Sequence, residues 1–132
     1  MALNVPDVGE NKALEAIVNK TAPETLILRL YVNNITPSDT DTLATFTQAT
    51  FSGYAQISLT PATWGAAAAG VITYSAQQTF TCSGAATDDV YGYFVIQTTS
   101  TVLMWAERDA SAPFAVRNSG DAIKITPSLS AN

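Results

Sequence analysis

The chain of 132 residues has no histidine, one cysteine and only six lysines and arginines. Each scarcity removes a class of chemistry. Without histidine there is no serine–histidine or cysteine–histidine nucleophile pair, and zinc loses its usual nitrogen ligand. A single cysteine allows no intrachain disulfide framework. Cys82, in "TFTCSG", reads as a small buried residue, since no histidine is available to turn it into a reactive thiol. Six scattered cations against eleven acids, a net charge of −5, do not make the basic patch that a phosphate backbone requires. No nucleic-acid partner is therefore expected. No apolar run reaches the roughly 18 residues of a membrane span, so no membrane partner is expected either. "MALNVPDVGE" lacks a basic region followed by an apolar core, and a secretory signal is not expected there. The triplets Asn19-Lys20-Thr21 and Asn34-Ile35-Thr36 are accordingly read as chance matches to the glycosylation motif.

Charged residues make up 13% of the chain, against about 25% in an average soluble domain, and threonine and serine take their place. A surface of hydroxyls and amides is a composition shared with many extracellular and virion β-proteins. The apolar fraction is 47%, and a domain of this length buries roughly 68% of the surface its unfolded chain exposes. One core without metal or disulfide support is expected.

The segment "PDVGENKALEAIVNK" is the one helix candidate. Leu14, Ile17 and Val18 recur at i, i+3, i+4 with Ala13 beside them, and Lys12, Glu15 and Asn19 fall toward the other side. Asp7 followed by Glu10 resembles a capping box, and Pro23 closes the segment. A helix of about eleven residues is marginal alone in water, so it must dock on the chain's own sheet or on a neighbouring subunit. From Glu24 the period becomes two. "TLILRLYV" places Leu26, Leu28, Leu30 and Val32 on one face and Ile27, Arg29 and Tyr31 on the other. "LATFTQATF", "YAQISL", "GVITYSAQQTFTCS", "VYGYFVIQ", "VLMWAER" and "AIKITPSL" continue as strands, separated by turn chemistry such as "SGAATDD", "TTST" and "RNSGD". This pattern predicts an all-β fold, an antiparallel β-sandwich or barrel, with residues 1–22 as an N-terminal arm and helix and residues 23–132 as the β-body. "GAAAAG" at 65–70 reads as a surface loop that lets another backbone approach closely, a hint of an interface near Trp64.

Strand parity puts Trp105 with Leu103 and Glu107, opposite Val102, Met104, Ala106 and Arg108, and pairs Tyr91 with Tyr93 on one face. A strand apolar on both sides is expected to be covered twice. Glu107 and Asp109 share a face about 7 Å apart along the strand, a separation that a carboxylate glycosidase tolerates. The plainer reading is a polar strand end or a subunit contact. "SDTDT" and Asp88-Asp89 lack the glycine and terminal glutamate of an EF-hand loop, so no cofactor or metal is expected, although a loop calcium stays open as a reading. Trp64, Tyr54, Trp105 and the tyrosines of "YGYF" suit either a core or a platform for sugar rings.

"PDVGENKALEAIV", "LRLYVNNITPSDTDTLATFTQATFSGYA", "SLTPATW", "VYGYFV", "LMWAERDA" and "NSGDAIKITPSLS" occur in an order that resembles a family of small tailed-bacteriophage virion proteins. The resemblance spans nearly the whole chain. It departs at Asp109, where an aromatic residue is expected, and at Ser119, inserted between Asn118 and Gly120. It implies a jelly-roll-like sandwich and a non-enzymatic capsid decoration, or cement, protein. Such a protein binds as a homotrimer to the outer surface of the major capsid protein lattice, in the virion. Leu14, Ile17, Val18, Trp64, Glu107 and Arg108 are the expected interface residues. Family members also carry tail or fibre labels, so recognition of a host glycan, with Trp64 in the platform, is the alternative.

Overall fold

Alternation of leucine with Ile27, Arg29 and Tyr31 produces a strand buried on both faces, and the sheet is built around it. In the computed structural model, which describes residues 2–131, the strands are β1 (Ala2–Asn4), β2 (Leu26–Tyr31), β3 (Ile57–Leu59), β4 (Val71–Thr73), β5 (Gln78–Thr81), β6 (Asp88–Val90), β7 (Gly92–Gln97), β8 (Leu103–Arg108), β9 (Phe114–Val116), β10 (Ala122–Ile125) and β11 (Ser128–Ser130), with one α-helix, α1 (Asp7–Ile17). Met1 and Asn132, at the outer ends of the two expected segments, lie outside the described residues. The fold is all-β, as the alternation predicts. Its main sheet is antiparallel with order β1-β8-β7-β2-β3, accompanied by the two-stranded ribbons β5–β10, β4–β11 and β6–β9.

The two faces of β2 divide as expected. Leu28 and Leu30 join Tyr93, Val95 and Trp105 in one cluster, which the ribbons complete with Phe80, Val90, Val116 and Ile123. Ile27 and Tyr31 join Phe94, Ile96 and Ala106 in a second cluster. The second cover that a doubly apolar strand demands comes from the chain itself. Phe46 stacks on Phe94 at 5.0 Å between ring centroids and meets Tyr31 edge-on at 5.0 Å, with Leu43, Ile35 and Val8 packed around them.

Several boundaries differ from the sequence expectation. "LATFTQATF" is not a strand: Leu43–Thr45 is a 3₁₀ turn and only Gln48 bridges Tyr31. The reason is that Phe46 belongs to one cluster and Phe51 to the other, so this segment crosses the sheet edge and cannot keep one register. Parity fails along β8 as well. Val95 pairs with Trp105 but Ile96 with Leu103, a bulge that leaves Met104 as the extra residue. Leu103 therefore joins Phe94 and Ala106, away from Trp105, because one inserted residue moves every earlier side chain to the opposite face. A break at Tyr91 between β6 and β7 likewise sends Tyr91 to the second cluster and Tyr93 to the first. "AIKITPSL" divides at Thr126-Pro127 into β10 and β11, and β9 forms just before the "RNSGD" turn, where no strand was expected.

Turn chemistry behaves as predicted at "TTST", which joins β7 to β8. The Glu24 carboxylate accepts from the backbone amides of Ser100 at 3.0 Å and Thr99 at 2.6 Å, and hydrogen bonding from Ser100 first, then from Thr99, holds its carboxyl below the usual carboxylate range. "GAAAAG" is an exposed turn with Ala69 and Gly70 at positive φ. Cys82 is free and buried in the first cluster.

Candidate functional site

α1 is amphipathic, but it is oriented the other way round from a docked surface helix. Pro6, and not Asp7, is its N-cap, and no side chain caps it. The end is a Schellman arrangement: Asn19, at φ 57, bonds through its N–H to Ala16 O at 3.1 Å, and Lys20 N–H bonds to Glu15 O at 2.9 Å. The helix meets the sheet through Val8 and Gly9. Gly9 lies so close that an added Cβ would sit 2.4 Å from Met104 O and 2.9 Å from Leu103 O. Lys12 and Glu15, paired at 3.1 Å, are half-buried. Leu14, Ile17 and Val18 instead point outward, 62%, 76% and 71% exposed. Beside them runs an apolar groove of about 340 Å³ lined by Val5, Ala13, Leu14, Met104, Trp105 and Leu129. The expected stripe is real, and the chain's own sheet does not cover it. The arm is also part of the body, since β1 forms the edge strand beside β8 and Pro6 is fully buried.

The other expected interface residues do not join this face directly. Trp64 is half-buried, edge-on to Tyr74 at 5.1 Å and to Trp105 at 6.1 Å. It borders a shallow groove of about 410 Å³ with Glu24, Leu26 and Ile72. Arg108 donates to Ile35 O at 2.9 Å, and its guanidinium carbon lies 5.1 Å from the Tyr91 ring centroid. Both contacts are internal, and the bond to Ile35 O anchors the 33–46 segment over the second cluster.

Glu107 faces the opposite way from Arg108. It is 6% exposed, and its Oε2 accepts from the Tyr93 hydroxyl at 3.0 Å. Burial, and then the Glu107 carboxyl, push the Tyr93 phenol well above the usual range. The Trp105 indole N–H lies close to this hydroxyl but meets no acceptor in hydrogen-bond geometry. Glu107 and Asp109 do share one face, as the spacing predicts, and line a cavity of about 100 Å³ with Lys124, Thr126 and Ser128. That is well below the roughly 300–1,000 Å³ of a ligand pocket that takes a drug-sized molecule. Lys124 and Ser128 had no signal in the sequence that could place them here, because the β10–β11 connection reaches Glu107 only through the fold.

Three other acids secure loops. Asp41 accepts from Ser38 N at 2.8 Å and Ser38 Oγ at 3.0 Å, Asp88 accepts from the amides of Thr50 and Phe51, and Asp89 pairs with Arg117 at 2.6 Å. Among the described residues no three His, Cys, Asp or Glu side chains converge as a metal centre would need. Compared with protein-family models and with curated proteins, the chain matches none.

Proposed function

We propose that this chain is a non-enzymatic virion structural protein, a capsid decoration protein that binds the outer surface of the major capsid protein lattice as a trimer and stabilises the head. The observation that carries the reading is the outward apolar stripe of α1. Three large aliphatic side chains stand in water at i, i+3, i+4 on a helix whose inner face is already seated. A contiguous exposed apolar patch on an otherwise polar monomer marks an interaction surface. The sequence resemblance to small phage virion proteins supplies the setting. The three ribbons, which pack Phe80, Val116 and Ile123 onto the main sheet, support reading the body as a jelly-roll-like sandwich. Trp64 lends less support to glycan recognition, because it is half-buried and makes edge contacts with Tyr74 and Trp105.

The test uses Leu14→Lys and Ile17→Lys, which keep good helix formers at exposed positions. Both variants are expected to melt like the parent and to be lost from purified particles. Unchanged occupancy would remove α1 as the docking face. Gel densitometry of particles separates the two settings: many copies per particle mark a shell component, and a few mark a tail or fibre part.

A further inference from the structure

β11 reaches the α1 face with one edge of its backbone unused. Tyr74 N–H bonds to Pro127 O at 2.9 Å and Ala131 N–H bonds to Gly70 O at 2.8 Å, in register with Leu129 opposite Ile72. Bonded pairs alternate along an antiparallel ladder, so Leu129 directs its N–H and C=O at β4, while Ser128 and Ser130 direct theirs to the other side. No strand pairs with that side among the described residues. The Ser128 amide lies close to the Tyr93 hydroxyl, so this edge looks toward the main sheet. Ser130 comes next along it, and neither its N–H nor its C=O meets another backbone group among the described residues. Strand groups left open in this way are a template for a further strand.

Beside Ser130 runs the groove of about 340 Å³ next to α1, within the roughly 300–1,000 Å³ of ligand pockets. Leu129, Ser130 and Ala131 line it and no residue of β4 does, so the groove and the unused edge lie on the same side of β11. Val5, Ala13, Met104 and Trp105 make the rest of the lining largely apolar. Glu10 is its one charged residue, exposed and without a cation within 4.0 Å among the described residues.

These groups distinguish between occupants. A helix spends its backbone bonds on itself and would leave Ser130 unanswered. An extended segment offers a C=O and an N–H to the edge and sends alternate side chains into the groove. Glu10 calls for a cation beside them. A second copy of this chain does not supply that combination. Lys12, Lys20 and Arg117 are ion-paired, and Arg29 and Arg108 are bonded to Gln56 and to Ile35 O. Lys124 lies in β10, whose isoleucines are already packed on the first cluster.

We propose that this groove accepts an extended segment of a partner protein, apolar at alternate positions and bearing a lysine or arginine, which adds as a strand along β11 at Ser130 and sets its cation beside Glu10. The inference rests on the reading of the α1 face as the docking surface and names what that surface takes.

The full chain, labelled with ¹⁵N, is titrated with the peptide acetyl-lysyl-valyl-threonyl-valyl-lysine amide. The amides of Gly9, Ser130 and Ala131 are expected to shift saturably, with the Ser130 proton moving downfield and exchanging more slowly as it gains an acceptor. The same peptide N-methylated at its three inner residues is expected to bind about three- to tenfold more weakly, as is the parent peptide to Ser130→Pro, which removes an N–H that the β4 ladder does not use. If Ser130→Pro does not fold, the N-methylated peptide carries that arm alone. Glu10→Gln is expected to weaken binding about two- to fivefold, and a peptide with glutamates in place of the lysines is expected to bind more weakly still. No saturable response, equal binding of the N-methylated or the glutamate peptide, or unchanged affinity in Glu10→Gln overturns the assignment. Particle occupancy of Leu14→Lys separates this from the reading it rests on. Peptide binding by the parent with unchanged occupancy of that variant removes the docking role of α1 and supports the strand site; loss of the variant from particles with no peptide response overturns strand addition alone.

Discussion

The Tyr93 hydroxyl donates to Glu107 Oε2 at 3.0 Å, and the two residues face each other directly in the β7–β8 register. A cross-strand pair of this kind ties a buried acid to the interior of the main sheet, so each partner depends on the other.

Tyr93→Phe leaves the Glu107 carboxyl buried without its donor, and a loss of about 1–3 kcal/mol is expected from urea denaturation. Tyr93→Phe combined with Glu107→Met removes both polar groups, and it is expected to recover part of that loss. A double variant less stable than the sum of the singles would mean that the pair does not act as a unit.

High pH is expected to destabilise the fold through its tyrosines. Burial pushes the Tyr31 phenol up to about 12 and raises Tyr54 and Tyr93 as well, from an ordinary value near 10. A phenol whose value is raised on folding keeps its proton longer in the native state. Its contribution is whole below about pH 10 and is lost as the pH rises toward 12. Each such tyrosine lowers stability by at most about 1.4 kcal/mol per pH unit across that window. Tyrosinate absorbance should show only part of the five tyrosines ionising near pH 10, with the rest released on unfolding. Complete titration near pH 10 in the folded protein would contradict the burial assigned to these rings.

Gly9→Ala sets two effects against each other. Helix propensity alone predicts a gain of about 1 kcal/mol, since alanine is the best helix former. The added Cβ would sit 2.4 Å from Met104 O, a backbone atom that cannot swing aside. The net change is expected to be destabilising, read as a lower melting temperature. A higher one would show that α1 is not seated on β8 as described.

Phe46→Ala uncovers the second cluster. Phe46 is buried, stacked on Phe94 and edge-on to Tyr31, and a loss of about 3–5 kcal/mol is expected for removing such a ring. A change under about 1 kcal/mol would mean that the 33–46 segment contributes little cover.

Local order was legible where side-chain period and secondary structure coincide. β2 kept both predicted faces because no bulge interrupts it, and the "TTST" turn joined the strands on either side. β8 was misread at Leu103 and Met104, since a bulge is set by what the neighbouring strand can accommodate and leaves no mark in one strand's own sequence. Of the expected interface residues, Leu14, Ile17 and Val18 do form one face. Arg108 turned inward onto the Tyr91 ring and onto Ile35 O, the latter in a loop distant in the chain.

Composition and alternation alone make this an all-β chain with one short N-terminal helix, and its 132 residues hold no histidine and no pair of cysteines for an intrachain disulfide. These follow from residue type and spacing, which act locally. Tertiary packing decided which side of α1 is buried: close approach of Gly9 to the β8 carbonyls outweighed the pull of the aliphatic stripe, and Leu14, Ile17 and Val18 were left to water. It also decided which residues border the small cavity beside Glu107, because Lys124 and Ser128 come within reach of it only when β10 and β11 fold back over the main sheet.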